Sequence, residues 1–115
     1  MSQQGSDSSY GVVLVTTSSQ AEAVAIAEAL IAAKLAACVG MFPIQSLYTW
    51  EGTLHHDQEW QLVIKTCLTH FPALEARIRA MHSYEIPEII ALPVVSGSQP
   101  YLDWIASQVL ASPPN

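Results

Sequence analysis

The chain is predicted to fold as an α+β domain: a ferredoxin-like βαββαβ sandwich with an added C-terminal helix. Three observations predict it. Apolar strand-like runs and helix-patterned segments follow one another in the order strand, helix, strand, strand, helix, strand. The two middle strands are separated by little more than Glu51-Gly52, which fits a long antiparallel hairpin. The 115 residues, 50% of them hydrophobic, bound one domain able to bury a core.

Residues 1–10, small and polar for the most part, are expected as a disordered N-terminal tail. Residues 11–111 form the single domain, and 112–115 a C-terminal tail. Gly11 to Thr17 is a short β-branched run of the kind found in a central strand. Ser19-Gln20-Ala21-Glu22 reads as a capping box, S-x-x-E, that opens a helix. Its predicted stripe is Val24, Ala27, Leu30, Ile31 and Leu35, with fraying by Lys34 to Ala37.

The second strand runs from Cys38 through Trp50, with Pro43 marking a bulge or an edge. Within it Ser46, Tyr48 and Trp50 share one face, and Leu47 and Thr49 the other. Glu51-Gly52 begins the turn, His55-His56-Asp57 lies near the tip, and Trp60 to Cys67 returns. Pro72 opens the second helix, whose stripe is Phe71, Leu74, Ile78 and Met81. Glu88 to Val95 is the last strand, and Gly97 breaks it. A third helix begins at Ser98 or Gln99, with Tyr101, Trp104, Ile105 and Val109 on its apolar side. Two helices on one sheet face leave the other face bare, which predicts association through it.

Only 12% of the residues are charged, and four are basic: Lys34, Lys65, Arg77 and Arg79. The net charge of −6 argues against nucleic acid and against an anionic membrane as partners. No run reaches the ~18 apolar residues that span a bilayer, and no signal peptide is visible at the start. Cys38 and Cys67 are too few for a secreted disulfide framework and read as small buried hydrophobes. A hairpin centred on Gly52-Thr53 would set them opposite each other. A cytoplasmic location is expected. No Gly-rich phosphate loop or nucleophile–base pair occurs, so no catalytic residue is assigned and the chain is read as a non-enzyme.

Leu35-Ala36-Ala37-Cys38-Val39, Ser46-Leu47-Tyr48-Thr49-Trp50-Glu51-Gly52, Ile64-Lys65-Thr66 and His82-Ser83-Tyr84-Glu85-Ile86-Pro87-Glu88 carry a resemblance. With Ile89 to Pro93 and Tyr101 to Ile105, they resemble the CutA divalent-cation-tolerance family over about residues 12–110, in order and spacing. The resemblance implies a tight homotrimer, akin to PII-type signalling trimers, in which long hairpins pair between subunits. It implies a role in the response to divalent metal ions, with no cofactor required and Cu²⁺ or another divalent cation as the ion. A small-molecule ligand in the intersubunit cleft is the alternative.

Two departures stand out. The family's loop reads His-Pro-Tyr-Glu, and Ser83 replaces that proline here. The cysteine and second histidine that some bacterial members associate with copper are Thr16 and Met81 here. His82 and Cys38 remain as candidate metal ligands, against the alternative that His82 only holds its loop. His55-His56-Asp57 reads as a solvated turn before it reads as a metal tract. Lys65, a lone cation in an apolar strand, needs a carboxylate partner from Glu59, Glu85 or Glu88. Tyr48, Trp50, Glu59, Lys65, Tyr84 and Glu88 are the candidates to line the cleft.

Overall fold

A computed structural model describes residues 9–112. Strand β1 spans Tyr10–Thr17, helix α1 Gln20–Ala32, β2 Cys38–Trp50, β3 Thr53–Cys67, helix α2 Phe71–Met81, β4 Ile89–Pro93 and helix α3 Gln99–Gln108. The strands form one antiparallel sheet in the order β2-β3-β1-β4. That is the split βαβ arrangement the sequence predicts. The predicted tails over 1–8 and 113–115 lie outside the described residues. Tyr10, expected in the tail, instead starts β1 opposite Cys67.

Period-two alternation divides the sheet. Val13 and Val15 of β1 face the same way as Leu62 and Ile64 of β3, and all four are fully buried under α1 and α2. Each such side chain contributes about 2 kcal/mol by leaving water. The buried residues of α1 are Ala23, Ile26, Ala27 and Leu30, while Val24 and Ile31 are exposed. The helix is thus rotated from its predicted stripe. Almost every position of α1 is apolar, so periodicity fixes its phase poorly. In α2, Leu74 and Ile78 are buried as predicted, but Met81 is exposed.

The opposite face is only partly bare. Helix α3 covers one end of it, packing Ile105 and Val109 against Tyr10 and Cys67. Its buried side therefore excludes Tyr101 and Trp104, which stack on each other in partial contact with solvent. Beyond α3, Phe42, Ile90 and Leu92 remain exposed.

The hairpin is longer than the strands beside it. β2 and β3 pair without a break from Cys38–Lys65 to Trp50–Thr53, so Pro43 sits on an edge strand and makes no bulge. Glu51 and Gly52 both have positive φ, 50° and 80°, as a two-residue primed turn requires. The turn centre sets Cys38 opposite Lys65, so the two cysteines are diagonal rather than opposed and are not joined by a disulfide.

Candidate functional site

The last β1–β3 pair is Thr17 with Trp60, so residues 53–59 of β3 run on beyond β1 with β2 alone beside them. The loop between α2 and β4 occupies the room past the end of β1. Together, the projecting hairpin and this loop enclose a half-open cavity of about 650 Å³. Tyr48, Trp50, Glu59, Tyr84 and Glu88, five of the six expected cleft residues, line it. Thr16, Ser46, Leu47, Ser83, Glu85 and Ile86 complete the wall.

Glu59 is buried, and its Oε2 accepts a hydrogen bond from the Tyr84 hydroxyl at 2.6 Å. Burial first, then this bond and the Glu59 charge, push the Tyr84 phenol well above its ordinary value of 10.0. The Tyr48 hydroxyl donates to Asp57 from across the hairpin, and that bond is the main reason its phenol is also raised. Tyr48 further stacks on His55, with ring centroids 5.3 Å apart. His56 bonds Gln45 at 2.9 Å. The histidines of the tip tract thus turn to different neighbours.

His82 ends α2 and turns its ring inward, with none of its side chain exposed. Its Nε2–H donates to the Thr16 carbonyl at 2.7 Å, and Nδ1 accepts from the Tyr84 N–H at 3.0 Å. These partners assign the Nε2–H tautomer and leave no ring lone pair for a metal. Glu22, in the first turn of α1, clamps the same loop. Its carboxylate accepts from the Ser83 N–H at 2.7 Å and from the Ser83 hydroxyl at 3.1 Å. Only half of the predicted capping box forms: Ser19 Oγ accepts from the Glu22 N–H at 3.1 Å, while the Glu22 side chain turns to the loop. Nothing in the local sequence signals that contact, which joins residues 61 positions apart.

Two expected site residues lie elsewhere. Lys65 sits opposite Cys38 near the start of β2, and its Nζ stands 5.5 Å from the centre of the Tyr101 ring. No ion pair reaches it among the described residues. Cys38 is at that same end, away from the pocket wall that Ser46 to Trp50 of β2 provide. Among the described residues, no three His, Cys, Asp or Glu side chains gather as a metal site would require. The residues present therefore do not fit a built copper centre on His82 and Cys38.

The family profile described as CutA1 divalent ion tolerance protein matches residues 11–108. The chain is 46% identical over 95 residues to the divalent-cation tolerance protein CutA of Thermus thermophilus, covering 82% of this chain and 92% of that one. It is 42% identical to protein CutA of Mus musculus, spanning 84% of this chain but only 55% of the mouse protein. The solved periplasmic divalent cation tolerance protein CutA from Archaeoglobus fulgidus superposes with a TM-score of 0.86 at 39% identity, covering 88% of this chain and 99% of that one. CutA1 from Oryza sativa gives 0.87 at 39% identity, over 90% and 95% of the two chains. No described helix is long and apolar enough to cross a membrane. The chain belongs to the CutA1 divalent ion tolerance family.

Proposed function

We propose that the chain acts in divalent-metal tolerance as a non-enzymatic homotrimer whose own contact with copper-class ions is loose. The observation that carries the assembly is the uncovered sheet face. Phe42, Ile90 and Leu92 stand exposed there, on the two edge strands β2 and β4. The committed nitrogens of His82 support loose rather than stoichiometric metal contact. The raised phenol of Tyr84 makes it a poor proton-transfer group near neutrality, which supports a non-catalytic pocket. A cytoplasmic location belongs to the same reading, supported by the scarcity of cysteine, two in the chain.

Sedimentation and calorimetric titration with Cu²⁺ test this reading together. The expected mass is three copies of the 12.5 kDa chain. The expected Cu²⁺ isotherm is shallow and unchanged in His82→Ala. A 12.5 kDa species at micromolar concentration would refute the trimer. A stoichiometric site lost in His82→Ala would refute the loose contact.

A second reading, a PII-like trimer that binds a small molecule between subunits, is favoured by the cavity itself. Its volume of about 650 Å³ lies in the range of small-molecule sites.

A further inference from the structure

We propose that this pocket takes an organic ammonium cation, a small alkylammonium held between the buried Glu59 carboxylate and the aromatic side chains of Tyr48 and Trp50. The proposal rests on the small-molecule reading of the site and names the ligand's class. Glu59 is only 6% exposed. Its Oε2 is bonded to Tyr84, but its Oε1 accepts nothing from the described residues. The carboxylate is largely withdrawn from bulk water while Oε1 stays open to the cavity, so a cation seated beside it gains a charged partner at little further desolvation.

The rest of the wall selects the same class. Glu85 and Glu88 add two carboxylates, and the lining contains no lysine, arginine or histidine. An anion would meet repulsion with no compensating donor charge. Aromatic side chains attract ammonium through their π-faces and tolerate its alkyl groups, as in cages that recognise quaternary ammonium. The hydroxyls of Thr16 and Ser46 offer further acceptors for the N–H groups of a primary amine. A bare divalent ion fits less well, since it needs several oxygens at ~2.0–2.6 Å around one point. No such group of side chains exists among the described residues. The apolar share of the wall would be wasted on a hydrated metal.

The test titrates the full chain at fixed ionic strength with n-butylammonium, tetramethylammonium, n-butanol and butyrate, read by calorimetry and by ligand proton NMR. The expected result is saturable binding of at least one of the two cations, one per chain. Its methyl or methylene resonances shift upfield from the rings, and neither n-butanol nor butyrate saturates. Glu59→Gln, checked for folding by circular dichroism, weakens the cation about tenfold or more. Equal binding of n-butanol and n-butylammonium overturns the proposal on the native chain, with no variant needed. So does cation binding that a folded Glu59→Gln leaves unchanged. Saturation by butyrate or n-butanol alone keeps a small-molecule pocket and removes this ligand class. No saturation by any of the four removes both.

Discussion

Tyr84 ties the loop to the hairpin through one bond, its hydroxyl donating to Glu59. Because the phenol is held above 10.0, the folded state keeps its proton more tightly than the unfolded state does. The resulting stability is fully present below pH ~10, where both states are protonated, and is lost as pH rises toward the folded value. Urea midpoints are therefore expected to hold up to pH ~10 with respect to this group and to fall above it. In Tyr84→Phe that alkaline fall is smaller, and one late-ionising phenol disappears from the ultraviolet titration. An alkaline limb identical to that of the parent chain would show that the Tyr84–Glu59 bond is not its source. Five of the eleven pocket residues were legible in sequence because aromatic and acidic side chains stand out in so apolar a chain, whereas small or aliphatic ones such as Thr16, Ser46 and Ile86 do not. Lys65 stood out equally, yet its place depended on register, which places it beside Tyr101 instead. His82 shows the complementary limit. Its type suits a ligand, but only the fold reveals that Thr16 and Tyr84 use both nitrogens.

Helix α1 illustrates what an element's end can hide. Fraying is expected over Lys34 to Ala37, where glycine is absent. The structure shows a closed Schellman turn instead: the Lys34 N–H bonds Ile31 O at 3.0 Å, and the Leu35 N–H bonds Leu30 O at 2.9 Å. Lys34 is left-handed, with φ of 58°, a conformation that favours glycine. The tertiary structure holds it there, because Lys34 O also accepts from the Leu110 N–H at 3.0 Å and Leu35 is buried. Lys34→Gly is accordingly expected to stabilise the chain by about 0.5–1 kcal/mol, as relief of left-handed strain exceeds the added freedom of the unfolded chain. Denaturant midpoints at constant slope would measure it. A loss of stability would mean that the lysine side chain earns its place by contacts. The hairpin tells a similar story of small offsets. Strand identities, the turn and the edge position of Pro43 follow from residue type. Moving the turn centre from Gly52-Thr53 to Glu51-Gly52 shifts the partner of Cys38 from Cys67 to Lys65.

At the scale of the whole molecule, the long hairpin gives the chain extents of 51 × 25 × 22 Å. An isolated chain of that shape exposes an apolar sheet face that its few charges cannot screen. The proposed trimer would cover the face, and Leu92 discriminates this cause from simple surface hydrophobicity. Leu92 is 45% exposed on β4 with its side chain on the uncovered side, opposite Val12. Ile31 is similarly exposed, at 42%, but on α1 over the other layer. Leu92→Asp places a charge on the face, where burial against a neighbour would cost several kcal/mol, while a free chain tolerates it in water. Sedimentation is expected to move toward the 12.5 kDa species in Leu92→Asp with an unchanged circular dichroism spectrum. Ile31→Gln should keep the mass of the parent chain. The Leu92→Asp melting temperature should lose the concentration dependence that linked assembly gives the parent. A Leu92→Asp protein with the parent mass would place the contact elsewhere, and dissociation by Ile31→Gln as well would point to the helical layer.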